Sequence, residues 1–190
     1  MATVTALPTG TANMTGGSTG QTQAAKALAN DENYCQLDTN PADASGIEYA
    51  LFSEWDDIAS GLPSDATITG VQVILPEYYG NVSQVNMYLS VNAGVSDSSA
   101  EAVNLSGMQK SADGIVTTPS ADDDLWGLTW DVGSLDWNDV WLKIDLNGGT
   151  AGRYFYFDYV QLKVIYTAPT PQKPLTINGS LTVNGTLIIK

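Results

Sequence analysis

The chain contains no histidine and only one cysteine, and these two gaps exclude several kinds of functional site. Without histidine there is no Ser-His-Asp or Cys-His catalytic centre, and zinc sites built from histidine and cysteine are excluded as well. A single cysteine cannot form an internal disulfide framework. We expect Cys35, in the run Tyr34-Cys35-Gln36-Leu37, to be a small buried apolar side chain and not a reactive thiol.

Basic residues are also scarce. Seven Lys and Arg stand against 21 Asp and Glu, which gives a formal net charge of −14. All the acidic residues lie between Asp31 and Asp158, and after Asp158 the only charged side chains are Lys163, Lys173 and Lys190. Phosphate binding needs a basic patch, so we exclude nucleic acid as a direct ligand. The acidic surface favours solubility and repulsion between like subunits.

Long apolar runs and long helical patterns are missing as well. No stretch approaches the roughly 18 apolar residues that span a bilayer. The N-terminal sequence MATVTALPTGTANMTGG has neither the basic nor the apolar region of a secretory signal. The low share of charged residues, 15%, favours an all-β protein over a helical one. We expect a soluble protein made in a cytoplasm, with no membrane partner.

Motifs for catalysis are limited to acidic clusters. Neither a Walker sequence nor a dinucleotide glycine fingerprint follows a predicted strand. Paired carboxylates suffice for glycoside hydrolysis, and Asp122 to Asp124 could offer oxygen ligands to Ca²⁺, although their spacing matches no EF-hand. With 21 acids, such clusters are expected by chance as solvated loop charges, so we predict no catalytic residue, no metal and no cofactor. The clusters are Glu54 with Asp56 and Asp57, Asp122 to Asp124, and Asp131 with Asp136.

Alternating apolar and polar residues predict the strands. Clear signals cover residues 66–75, 85–91, 140–146 and 153–166, and weaker ones cover residues 47–55, 102–105, 114–117 and 125–130. In residues 153–166 the aromatic first half fills both faces. That segment is therefore either covered on both sides or shifted in phase by a bulge near Asp158. About eight or nine short strands without a convincing helix predict an antiparallel β-sandwich or jelly roll.

The composition divides the chain into four segments. Residues 1–30, rich in Thr, Gly, Ala and Ser, are expected to form a flexible N-terminal arm. Residues 31–167 form the predicted sandwich. Residues 168–174 are a proline-rich linker, because proline makes a semi-rigid spacer and cannot join a central strand. Residues 175–190 form a tail of short repeats.

The tail reads LTINGS, LTVNGT and LIIK, which is two six-residue units and the start of a third. Each complete unit is a very short strand followed by an Asn-Gly corner. Stacked repeats need about three or more copies for stability, so we expect other chains to supply the missing copies. A hairpin docked on its own domain and a disordered tail are the alternatives. The predicted oligomerisation residues are Leu175, Ile177, Leu181, Val183, Leu187 and Ile189.

The five tryptophans are the other candidate site. Exposed tryptophan faces stack on sugar rings, and Trp126 and Trp137 are the positions whose loss would then abolish glycan binding. Tryptophan is, however, usually buried for the most part, and several of these residues lie beside predicted strands. We therefore favour the core or a subunit interface. The five residues are Trp55, Trp126, Trp130, Trp137 and Trp141.

Two segments resemble a family. Residues 61–75, GLPSDATITGVQVIL, resemble the "(I/L)P-x-x-A-x-I-x-G-(V/I)-x-V" signature of β-sandwich structural proteins of tailed bacteriophages. In those proteins a closing strand "(I/V)D-x-V-x-(L/V)-x-V-x-Y" follows, and residues 157–166, FDYVQLKVIY, are similar to it. The tail also resembles the stacked repeats at the trimerisation ends of phage fibre proteins, although the long shaft and receptor tip of a fibre are missing.

The resemblance covers about residues 47–166 and implies a role without catalysis. It implies a capsid decoration (cement) or head-fibre protein that stabilises the assembled shell on the capsid surface of a virion. The expected assembly is a homotrimer, and the expected partner is the phage major capsid protein or another virion protein. The alternative is a carbohydrate-binding module or a receptor-binding tail-fibre component, with a surface glycan as ligand.

Overall fold

The computed structural model describes residues 1–11, 25–38, 49–80, 82, 84–93, 98, 101–104, 116–146 and 154–169. In this part of the chain the protein is nearly all β, as the sequence predicts, and its strands form three antiparallel sheets. The strands are β1 (Ala2–Ala6), β2 (Gly10–Thr11), β3 (Cys35–Asp38), β4 (Tyr49–Ser53), β5 (Thr67–Leu75), β6 (Tyr78–Gly80), β7 (Gln84–Ser90), β8 (Glu101–Asn104), β9 (Val116–Thr118), β10 (Trp141–Asp145), β11 (Tyr154–Phe157) and β12 (Gln161–Thr167).

Helical structure is limited to three short elements in the described ranges. They are α1 (Asp56–Gly61) and two 3-10 helices, Ala25–Leu28 and Trp137–Asp139. Asp56 and Asp57 occupy the first turn of α1, where a negative charge is favourable next to the helix dipole. In this part of the chain no helix has the length and apolar character needed to cross a membrane.

The first sheet has the strand order β1-β12-β5-β9. Its centre is the pair β5 and β12, in which Val71 lies opposite Val164 and Val73 lies opposite Leu162. These four side chains are fully buried, because the apolar residues of both strands point to the same face. The register shifts between Ile165 and Tyr166, which pair with Gly70 and Ile68, so β5 contains a bulge or a similar irregularity at Thr69.

The second sheet has the order β2-β4-β10-β7-β8, and the third has the order β3-β11-β6. In the second sheet β10 lies between β4 and β7, and its Leu142 pairs with Phe52 on one side and Leu89 on the other. In the third sheet Phe157 of β11 pairs with Cys35 of β3 and Tyr78 of β6. Buried residues from all three sheets belong to one hydrophobic core.

The segment predicted as one long strand, residues 153–166, is two strands in two different sheets. β11 ends at Phe157, and β12 begins at Gln161 after a break at residues 158–160. From the sequence, either cover on both sides or a phase shift near Asp158 was expected. The structure shows that the chain leaves the third sheet at that position and enters the first.

Two further expectations differ from the structure in the described residues. Residues 1–30 were expected to form a flexible arm, but within it β1 pairs with β12 along Ala2–Ala6, since its Thr-Val-Thr alternation suits an edge strand. Residues 12–24 of the predicted arm lie outside the described residues. Residues 125–130 were predicted as a strand, but they form turns, in which Trp126 and Gly127 have positive φ angles. A residue with positive φ cannot continue a regular strand.

Candidate functional site

The predicted oligomerisation residues lie outside the residues that the structure describes. This applies to Leu175, Ile177, Leu181, Val183, Leu187 and Ile189, and to linker residues 170–174. The trimerising tail therefore stays a prediction from the sequence.

Four of the five tryptophans belong to the hydrophobic core, as expected. Trp126 is 2% exposed and Trp137 is 5% exposed, so neither presents a face on which a sugar ring could stack. Trp55 and Trp130 are also buried, and Trp141 is half-buried. The indole N–H of Trp126 donates to the carbonyl oxygen of Val71 at 2.8 Å, and that of Trp55 donates to Val140 at 3.0 Å. The indole of Trp126 thus ties its loop to β5, and the indole of Trp55 is bound just before the start of β10.

Three carboxylates of the predicted acidic clusters hold turns. Asp124 accepts a hydrogen bond from the backbone N–H of Trp126 at 2.6 Å, and Asp136 accepts one from Asn138 at 2.9 Å. Asp131 accepts from the N–H of Gly133 at 3.0 Å and from the hydroxyl of Ser134 at 2.8 Å. Such bonds between a side chain and the nearby backbone are typical of loop acids.

The first cluster is divided between a loop and a helix. Glu54 has a positive φ angle of 61°, and its carbonyl oxygen accepts hydrogen bonds from the N–H and the hydroxyl of Thr9. Asp56 and Asp57 face solvent on the first turn of α1. Across the described ranges, no group of three or more acidic or cysteine side chains has an arrangement suited to a metal ion.

The most unusual acidic residue is Asp158, which lies where the chain passes from β11 to β12. It is 0% exposed, and neither of its carboxyl oxygens has a hydrogen-bond partner among the described residues. Its backbone N–H donates to the carbonyl oxygen of Glu77 at 3.2 Å. A buried polar group without a partner is costly, and a buried charge is costlier still.

The surroundings of Asp158 favour its neutral form. Burial is the largest cause that raises the pKa of Asp158 above its ordinary value of 3.8, and the negative charges of Asp31 and Glu77 raise the pKa further. The backbone N–H groups of Asp31 and Asn33 act in the opposite direction and are weaker than burial. The balance is a buried carboxyl group that holds its proton to a higher pH than a solvated aspartate does.

Three segments of chain meet at this end of the third sheet. Asp158 follows β11, Tyr34 precedes β3 and Glu77 precedes β6. The Tyr34 hydroxyl donates to the Glu77 carboxylate, and the Asp31 carboxylate accepts a hydrogen bond from the N–H of Asn33 at 3.0 Å. We call the group Asp31, Tyr34, Glu77 and Asp158 the acidic junction.

A row of tyrosines continues from the acidic junction across the outer face of the third sheet. Tyr34 meets Tyr79 edge to face at 5.3 Å between ring centroids, and Tyr79 stacks on Tyr156 at 4.6 Å with 5° between the ring planes. Tyr154 meets Tyr156 edge to face at 5.4 Å and is 38% exposed. The rings pack on one another, and such pairs between neighbouring strands stabilise a sheet.

In the sequence, Asp158 marks a possible phase shift of the strand and is the Asp of the closing-strand motif, but neither pattern gives its carboxyl group a role. The available signal was an acidic residue inside an otherwise apolar and aromatic run, residues 154–166. Sequence alone does not show that Asp31 and Glu77 meet this residue, because they are separated from it by most of the domain.

Chemically, the acidic junction can bind and release a proton. It holds one buried carboxyl group, two nearby carboxylates and one tyrosine hydroxyl. Comparison of the chain with protein-family models, with curated proteins and with solved structures finds no match.

Proposed function

We propose that the protein is a non-catalytic structural component of a tailed-phage virion, of the capsid decoration or head-fibre type, which binds and stabilises the assembled shell as a homotrimer. In this proposal the three antiparallel sheets form a sandwich or jelly roll. The tail residues 175–190 join three copies, and the body contacts the major capsid protein or another virion protein.

The observation that carries the proposal is the position of the two segments that resemble the phage proteins. They are far apart in the sequence, yet they form the adjacent strands β5 and β12 at the centre of the first sheet. Because β5 and β12 pair with each other and share one core, their two sequence patterns are expected to occur together in one chain. This pairing supports our proposal of a shared fold, and the role in the virion is our extension of it.

The charge supports an assembly role rather than binding to nucleic acid. With a net charge of −14, copies of the body repel one another. The tail contains no acidic residue, and its repeat alternates apolar positions with Asn-Gly corners. Association through the tail would therefore join three chains at the segment where the electrostatic repulsion between copies is weakest.

The oligomeric state in solution tests the tail. Molar mass from light scattering should correspond to three chains for the full-length protein and to one chain for a variant that ends at Thr167. Leu181→Asp with Val183→Asp should also give monomers, whereas Thr182→Ser, on the same repeat, should stay trimeric. If the variant ending at Thr167 contains the same number of chains as the full-length protein, the tail is not the oligomerisation element.

Binding to shells tests the role in the virion. The purified protein should add in a fixed ratio to empty shells assembled from the major capsid protein of the same phage, and should raise their melting temperature. Sedimentation of shells with and without the protein measures both the ratio and the saturation. If a large excess fails to co-sediment, the decoration role is wrong, whatever the oligomeric state.

A further inference from the structure

The acidic junction closes one end of the third sheet, and Asp158 is its buried member. Phe157, the preceding residue, pairs with Cys35 on one side and with Tyr78 on the other. The backbone N–H of Asp158 donates a hydrogen bond to the carbonyl oxygen of Glu77 at 3.2 Å. A change in the charge of the Asp158 carboxyl group therefore acts directly on the segments that lead into β3 and β6.

The charged groups that act on Asp158 from these two segments are both carboxylates. Asp31 comes from the loop before β3, and Glu77 comes from the turn between β5 and β6. The Tyr34 hydroxyl is already used, since it donates to Glu77. Neither Asp158 oxygen has a hydrogen-bond partner within bonding distance among the described residues. The backbone N–H groups of Asp31 and Asn33 favour a charge on Asp158, but burial and the two carboxylates oppose it, so an ionised Asp158 is both desolvated and repelled.

We propose that Asp158 carries a proton in the closed, folded protein, and that release of this proton loosens the loop of residues 29–34 from the acidic junction. The loop acts as a latch controlled by pH: it is closed when Asp158 is neutral, and it opens when Asp158 carries a charge next to the carboxylates of Asp31 and Glu77. No covalent bond changes, and the proton goes to solvent.

Opening of the latch exposes the thiol of Cys35, whose reaction with a labelling reagent can be measured. Cys35 is the only cysteine in the chain, is 0% exposed, forms no disulfide and directly follows the loop. A buried thiol reacts with a disulfide reagent only when its surroundings open. The labelling rate of Cys35, divided by the rate in the denatured chain at the same pH, therefore measures the opening equilibrium.

The experiment uses the full chain and dithiodipyridine, a reagent that reacts with thiols at acidic and neutral pH. One proton released on opening makes the opening constant rise by up to about tenfold per pH unit, from about pH 4 until the closed form itself loses the proton. Wild type should show this rise and then a plateau. Asp158→Asn should show a flat profile, and Asp65→Asn, which removes an exposed turn carboxylate, should follow wild type.

Several results would overturn the proposal. One is the same normalised labelling profile for wild type and Asp158→Asn. Another is an Asp65→Asn profile as flat as that of Asp158→Asn, since the effect would then follow net charge and not the junction. If Asp158→Asn does not fold, the ¹³C carboxyl resonance of Asp158 in the wild-type protein decides. A midpoint at or below 3.8 means that no proton is held, and the latch does not exist.

Discussion

Three buried tryptophans, Trp55, Trp126 and Trp130, donate their indole N–H to backbone carbonyl oxygens. Trp126 has a positive φ angle, is nearly inaccessible and donates to Val71 in the middle of β5. Trp130 donates to Leu125 within the same loop and stacks on Trp137 at 6.0 Å. Composition and residue type predicted that these side chains are buried. The partners were not predictable, because they depend on how a loop without regular structure crosses the sheet.

Trp126→Phe should destabilise the protein by about 1–3 kcal/mol, because the carbonyl oxygen of Val71 loses its buried donor. Trp126→Ala should cost more, about 3–5 kcal/mol, because it also leaves a cavity. Denaturant unfolding measures both values. Thr129→Ala, an exposed change in the same loop, should stay within about 0.5 kcal/mol of wild type. A Trp126→Phe variant as stable as wild type would show that this hydrogen bond is not important.

Asp158→Asn should flatten the pH dependence of global stability. Because burial raises the pKa of Asp158 above 3.8, the folded protein keeps this proton over a range in which the unfolded chain has lost it. The bound proton stabilises the folded state fully below about pH 3.8, and this stabilisation is lost as pH rises through the raised pKa. It amounts to about 1.4 kcal/mol for each unit by which the pKa of Asp158 in the folded protein exceeds that in the unfolded chain. The free energy of unfolding of the variant relative to wild type should rise with pH and then level off. A constant difference between pH 4 and pH 8 would contradict this.

At the scale of elements, the loop of residues 119–130 is built onto the outer face of β5. Gln72 is buried, and its side-chain amide donates to the carbonyl oxygens of Pro119 at 3.0 Å and Ala121 at 3.2 Å. Lys163 of β12 donates to the same Gln72 side chain at 2.9 Å and lies 3.9 Å from Asp122. Period-two alternation predicted β5, and it predicted β12 as the second half of a longer strand. It did not predict the loop that buries Gln72, because residues 125–130 were themselves predicted to be a strand.

Gly70→Ala should detach this loop from β5. A Cβ atom at Gly70 would collide with the backbone carbonyl oxygen of Asp122, and backbone cannot move aside as a flexible side chain can. We expect a loss of about 1–3 kcal/mol or more, with new protease cleavage within residues 119–130. Gly133→Ala is the matched control, because its Cβ would lie at an ordinary 3.5 Å from Asp131. Equal stability of the two variants would show that the loop does not depend on close contact at Gly70.

At the scale of the whole molecule, the fold class was predictable and the division into sheets was not. Alternation in residues 85–91 and 140–146 predicted β7 and β10, which are neighbours in the second sheet. The aromatic run before Asp158 fills both faces, and only the three-dimensional path shows that it belongs to a separate sheet. The N-terminal strand was missed because its short Thr-rich sequence is also typical of flexible segments. It is ordered by pairing with β12.

The net charge predicts how the whole molecule responds to salt. With 21 acidic and 7 basic residues, the compact state is destabilised by its own repulsion. The screening length falls from about 30 Å at 0.01 M salt to about 8 Å at 0.15 M, so the melting temperature should rise over that range of NaCl. Neutralising the exposed acids Asp65 and Asp123 to Asn should raise the melting temperature at low salt and reduce this rise. Sucrose at matched osmolarity should act equally on both proteins. If salt lowers the melting temperature of wild type, attractive ion pairs outweigh the repulsion, and the acidic body does not need a separate element to bring its copies together.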